Sequence, residues 1–112
     1  MFKLIRDNIP ELVQAEGKQL NVAAAQNDEF FVALLRGKLI EEVNEYLSSE
    51  NSIEELVDIK TVLDYLIGNR QEEFNLIYET KLKEHGGFEK RYIGFFPDPS
   101  PEVSANTNTQ AK

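Results

Sequence analysis

The sequence predicts an all-α fold, a helical bundle with a central helical hairpin that carries an acidic motif, completed by oligomerisation. Three observations carry this expectation. Two long stretches with apolar residues at helical spacing are separated only by the polar break Ser48 to Ser52. Helix-start residues ahead of these runs, and Gly68 behind the second, bracket compact helices rather than strands. The apolar arcs of the two long helices are also wide enough to need cover on more than one side, with Phe30, Phe31 and Leu34 adding to them. Pairing two hairpins about a two-fold axis would bury that surface, so at least a homodimer is expected.

The elements follow in order. A short helix is expected from about Ile9 to Glu16, with Asn8 as cap, Pro10 in the first turn, Glu11 as the reciprocal acid and Gly17 as the stop. Ahead of it, Lys3-Leu4-Ile5-Arg6-Asp7 reads either as a phosphate-facing basic segment or as a solvated arm whose Arg6 pairs with an acid. Lys18 to Asn27 has no clear period and reads as a connector, with an extended piece at Leu20 to Ala23. Asp28 is placed to cap a long helix from about Glu29 to Ser48, in which Gly37 costs roughly 1 kcal/mol relative to Ala and reads as a mark of close packing.

The second long helix runs from Ile53 to Ile67 and stops at Gly68. Asn69 and Glu72 offer a capping box for a further helix, about Arg70 to Glu84, with His85 as a C-terminal residue ahead of Gly86-Gly87. Phe88 to Phe96 reads as extended or irregular, with Phe88, Tyr92, Ile93, Phe95 and Phe96 expected to pack across the helices. The domain is thus expected over residues 1–96, with a disordered tail from Pro97 to Lys112, where Pro, Ser, Asn and Thr dominate.

Composition narrows the function classes. A length of 112 residues is one domain by size, and a net charge of −8 argues against a surface for a nucleic-acid polymer. No apolar run reaches transmembrane length, and Met1 to Arg6 lacks the apolar core of a signal peptide. Without cysteine there is no disulfide framework, zinc-thiolate site or thiol nucleophile. A cytoplasmic protein is expected.

The chemistry is expected in the stretch from Lys38 to Asp64. Glu42 and Glu45 stand three apart in the first long helix, Glu55 and Asp58 repeat that spacing in the second, and each pair therefore shares a helix face. With residues spaced at roughly 100° around a wheel, Leu35, Leu39, Val43, Tyr46 and Leu47 define the first apolar arc, and Glu42 falls roughly 50° from its centre. Glu41 points towards solvent. Ile53, Leu56, Ile59, Leu63, Leu66 and Ile67 define the second arc, with Glu55 on its shoulder and Asp58 beyond.

Two unit charges about 6 Å apart repel by roughly 3 kcal/mol at an effective dielectric near 20, so such a cluster needs protons, basic partners or divalent cations. Oxygen-only donors favour Mg2+ or Mn2+. A plainer alternative stands beside this one: acidic helix surfaces are common, and Ser52-Ile53-Glu54-Glu55 reads as a capping box in which Glu55 accepts a backbone N–H. Lys38, one turn before Glu42, reads equally as a phosphate ligand or as an ordinary helix ion pair.

Taken together, KLIRDNIPELV, EEVNEYL, EELVDIKTVLDYL and GGFEKRYI resemble a compact member of the all-alpha nucleoside triphosphate pyrophosphohydrolase superfamily, the MazG-like and phosphoribosyl-ATP pyrophosphohydrolase-like group. The resemblance runs to Phe96. It implies Mg2+-dependent hydrolysis of a nucleoside triphosphate between its alpha and beta phosphates, with release of a monophosphate and pyrophosphate, often as house-cleaning of non-standard nucleotides. It implies Glu42, Glu45, Glu55 and Asp58 as metal ligands, with Glu41, Glu42 or Glu45 accepting the proton of the attacking water. Lys3, Arg6, Lys38 and Arg91 are the expected substrate contacts.

The match departs from the pattern at Asn8, where relatives carry Lys, and in the nine residues between Glu45 and Glu55, fewer than in larger relatives. Phosphoribosyl-ATP hydrolysis uses the same motif residues and is the alternative enzyme reading. A non-catalytic nucleotide- or metal-binding module and a purely structural helical module are the alternatives outside catalysis.

Overall fold

The structure, a computed structural model, describes residues 2–97. Four helices account for its regular structure: α1 (Ile9–Ala15), α2 (Asp28–Ser48), α3 (Ile53–Ile67) and α4 (Gln71–His85). No strand occurs among the described residues, and Leu20 to Ala23 forms none. No helix of the described residues is long and apolar enough to cross a membrane. The chain divides into two compact units, Met1–Leu76 and Ile77–Lys112. The tail expected from Pro97 lies, from residue 98 onward, outside the described residues.

Helix α1 ends as its sequence dictates and begins otherwise. Gly17 takes φ +78°, its N–H donates to the Gln14 carbonyl at 2.9 Å, and the Lys18 N–H donates to the Val13 carbonyl at 3.2 Å. This pair of bonds satisfies carbonyls that the helix would otherwise leave open, and glycine permits it because no Cβ meets the backbone in that conformation. At the other end Asn8 is already helical in its backbone and makes no side-chain cap. The entry is instead a turn in which the Ile9 N–H donates to the Arg6 carbonyl at 3.1 Å.

The cap of α2 is Asn27 rather than Asp28. The Asn27 backbone is extended and its Oδ1 accepts from the Phe30 N–H at 2.8 Å, which leaves Asp28 and Glu29 as first-turn acids beside the positive end of the helix. The far end is closed by Ser49, whose hydroxyl donates to the Tyr46 carbonyl at 2.7 Å and accepts from the Ser52 N–H at 3.1 Å. Asn51 supplies the left-handed residue of this tight connection, at φ +66°, and accepts from the Tyr46 hydroxyl at 2.6 Å. The chain thereby reverses, and α2 packs on α3 as the central hairpin.

The shielded faces of the hairpin helices match the expected arcs in part. On α2 the shielded residues are Phe31, Leu34, Leu35, Lys38, Leu39, Glu41, Glu42, Val43 and Tyr46, and on α3 they are Glu55, Asp58, Ile59, Thr61, Val62, Leu66 and Ile67. Among the described residues only Leu35 and Val62 are buried apolar residues, at 2 % and 7 % exposure, and the third buried residue is Glu42. Leu47 and Ile53, placed on the arcs by periodicity, are each 71 % exposed, and Leu56 and Leu63 are exposed as well. On α2 the acid Glu42 shares the shielded face with most of the expected arc, Leu35, Leu39, Val43 and Tyr46, and on α3 Glu55 and Asp58 share it with Ile59, Leu66 and Ile67. The exposed remainder of the arcs has no cover within the hairpin.

Gly37 does not mark close packing, since a Cβ built there meets nothing within 4 Å. α4 begins one residue later than expected, with Arg70 at the cap position, its carbonyl accepting from the Phe74 N–H at 2.9 Å, and His85 as its last residue.

Candidate metal centre

The packing of α2 on α3 brings the predicted acids together. Glu42, Glu55 and Asp58 offer carboxylate oxygens within 4.8 Å of one another, and Glu41, Glu42 and Glu45 form a second such group that shares Glu42. The i, i+3 spacing on each helix and the short Ser49 to Ser52 connection produce this meeting, because the connection sets the two helices in register with Glu42 facing Glu55 and Asp58.

Glu42 is the centre of the arrangement. It is 5 % exposed, its Oε2 lies 3.3 Å from the Lys38 ammonium, and its Oε1 is buried without a hydrogen-bond partner. The Oε1 of Glu55 is buried and unpartnered as well. A carboxylate oxygen shielded from water without a partner costs free energy, on the order of 1–3 kcal/mol or more when charged. The capping-box reading of Glu55 does not hold. The Ser52 side chain makes no cap bond, and the Ser52 N–H that Glu55 would have accepted donates to Ser49 Oγ.

The charges confirm how crowded the cluster is. Burial, followed by the charges of Glu45, Glu42 and Asp58, raises the Glu55 carboxyl above the ordinary value. Glu41 goes the other way. The Lys3 ammonium, 3.0 Å from its Oε2, holds its carboxyl below the ordinary value, aided by Lys38 at 3.4 Å. Glu41 was expected in solvent but is half-shielded, at 27 % side-chain exposure, beneath the N-terminal arm. Arg6 completes the set, with Nη2 2.6 Å from Asp58 Oδ1. Five acids thus meet three cations, an excess of two negative charges that one divalent ion would balance.

These residues fit a hard divalent cation. Every donor is a carboxylate oxygen, two donor oxygens are buried with no other partner, and the local charge excess has the right sign and size. Glu42, Glu55 and Asp58 are the best-shielded donor group, and Glu45, on the exposed side, extends it.

A cleft of about 580 Å3 opens beside the acids, within the range of small-molecule sites. Lys3, Arg6 and Lys38 stand on its wall with Glu42 and Asp58, and Ile5, Ile9, Phe31, Leu35, Val62 and Tyr65 give it an apolar side. Periodicity pointed to the acids but not to these walls. The signal was nonetheless present: Phe31 and Leu35 lie on the same helical line as Lys38 and Glu42, and Val62 and Tyr65 follow Asp58 at i+4 and i+7. All lining residues belong to Met1–Leu76. Arg91 belongs to the other unit, where it sits at φ +59° in a turn closed by its N–H on the Phe88 carbonyl.

No protein-family model, curated protein sequence or solved structure matches this chain.

Proposed function

We propose that the chain is a Mg2+-dependent nucleoside triphosphate pyrophosphohydrolase of the all-alpha, MazG-like kind, hydrolysing its substrate to a monophosphate and pyrophosphate. The observation that carries this reading is the juxtaposition of a buried carboxylate cluster, with Glu42 at its centre, and a cleft lined by three cations and an apolar wall. Phosphates need cations, a nucleoside base needs an apolar surface, and the cluster needs a divalent ion; one site answers all three.

Roles follow from position. Glu42, Glu45, Glu55 and Asp58 hold Mg2+, or Mn2+, which when bound supplies charge neutralisation for the phosphates and acidifies water. Lys3, Arg6 and Lys38 orient the phosphate chain from the cleft wall, where each is already within reach of an acid. Phe31 and Tyr65 give the base a flat apolar surface. Glu45 is exposed and Glu41 is only half-shielded, so either can accept a proton from water, whereas Glu42 is closed off on the protein side.

The many exposed apolar residues of the hairpin support a homodimer or homotetramer in which a second copy covers them. Ile40, Leu47, Ile53 and Val57 are all more than half exposed, and with two buried apolar residues among those described there is little core within one copy.

A panel of nucleoside triphosphates and phosphoribosyl-ATP, assayed for pyrophosphate with Mg2+ present, tests the proposal. Release from at least one triphosphate, lost on chelation, is the expected result. Release from phosphoribosyl-ATP alone would move the activity to that substrate, and tight nucleotide binding without release would make the chain a binding module.

A further inference from the structure

We infer that the N-terminal arm, residues 2–7, is a strap whose cations hold the carboxylate cluster until a divalent ion displaces them, after which Lys3 and Arg6 become the phosphate contacts. The inference deepens the proposed function and rests on its reading of the acids as a cation site.

The strap is attached at two kinds of place. Its cations engage the cluster directly: Arg6 lies 2.6 Å from Asp58 and Lys3 lies 3.0 Å from Glu41, one acid from each of the carboxylate groups that share Glu42. Its other contacts involve no acid. The Phe2 ring meets Phe30 edge-on with centroids 6.0 Å apart, Leu4 and Ile5 are half-buried along the cleft, and the Arg6 carbonyl accepts the N–H that opens α1. Breaking the two ion pairs therefore leaves the arm on the cleft wall with its cations released.

Displacement follows from charge. A dication held by Glu42, Glu55 and Asp58 would compete with Arg6 for the Asp58 carboxylate and would repel the guanidinium now bonded to its Oδ1. Both arm side chains are more than half exposed, so they swing away without leaving a buried charge behind. Phosphate groups arriving in the cleft give them new partners. Mg2+ and phosphate thus each loosen the strap for the other, and the two ligands bind with positive coupling. Magnesium is expected to bind first.

This arrangement gives one substitution two opposite effects. Arg6→Gln removes a competitor of the metal and a partner of the phosphate. A residue that merely braced the fold would weaken both ligands when removed, and one that met only phosphate would leave the metal unchanged.

Calorimetric titration of the full chain with MgCl2, then with inorganic pyrophosphate at saturating Mg2+, separates these cases. Arg6→Gln is expected to tighten Mg2+ by about two- to fivefold, the range for a partly exposed ion pair, and to weaken pyrophosphate by about tenfold. Should that variant fail to fold, the wild-type arginine side-chain NMR signals serve instead. A signal protected by Asp58 in chelator must change on adding Mg2+, and an unchanged spectrum at saturating Mg2+ would overturn the strap. Equal or weaker Mg2+ affinity in a folded Arg6→Gln protein would likewise overturn it while leaving the cation site standing. No saturable Mg2+ binding by the wild type would remove both.

Discussion

At the level of single residues, the cluster around Glu42 makes two predictions. Glu42→Gln removes a central ligand charge and keeps the side-chain shape, so it should lower pyrophosphate release by more than about a hundredfold while far-UV circular dichroism shows the fold retained in chelator. Loss of helicity in that variant would instead assign Glu42 to the architecture. The second prediction concerns pH. Glu55 binds its proton more tightly in the folded chain than unfolded, so its contribution to stability is complete below the unfolded value of 4.5 and is lost as pH rises through its raised folded value. Glu41 behaves oppositely: its contribution is present above 4.5 and is lost as pH falls through its lowered value. Metal-free protein should therefore lose urea resistance as pH rises from the ordinary carboxyl value towards neutrality, and Mg2+ should cancel that loss by taking the proton's place. A flat profile in chelator would show that Glu55 does not feel its neighbours. The acids themselves were legible in the sequence, because i, i+3 spacing on a helix fixes a common face whatever the partner. The ion pairs of Lys3 and Arg6 were open between two readings, since 38 and 52 residues separate them from Glu41 and Asp58.

Among the elements, α3 has its expected bounds: Gly68 stops it, and Ser52 precedes it in an extended backbone, although its side chain makes no cap bond. The cap of α2 was misplaced by one residue, as Asn27 and Asp28 are both good caps and only the Phe30 N–H chooses between them. The apolar arcs are legible only in part: Leu35, Leu39, Val43 and Tyr46 on α2 and Ile59, Leu66 and Ile67 on α3 are shielded as a wheel expects, whereas Leu47, Ile53, Leu56 and Leu63 are exposed, because part of the shielded face goes to Glu42, Glu55 and Asp58. Gly37 provides an element-scale test. It is helical, and an added Cβ meets nothing within the chain, so Gly37→Ala should stabilise α2 by about 0.5–1 kcal/mol in chemical denaturation. Destabilisation, or a change in assembly, would mean that another copy packs against this stretch of α2. Gly17→Ala should go the other way, costing about 1 kcal/mol, because its φ of +78° is unfavourable for a side chain.

For the whole molecule, the exposed apolar surface and the internal acids are two aspects of one arrangement. The acids take up part of the shielded face of the hairpin, and the apolar residues left exposed are surface that a second copy would cover. Light scattering at micromolar concentration should therefore return at least twice the 12.8 kDa chain mass, and a monomer mass with full activity would separate the site from assembly. The expected tail falls largely outside the described residues, and the aromatic run from Phe88 to Phe96 is strongly exposed in its own unit. The central claim, that the hairpin acids form a divalent-cation site, is tested most directly by thermal melting of wild type and Glu42→Gln in chelator and in Mg2+. At about a hundred times its dissociation constant, Mg2+ should stabilise the wild type by about 2.7 kcal/mol and leave the variant nearly unchanged. Equal shifts in both proteins, or none in the wild type, would contradict it.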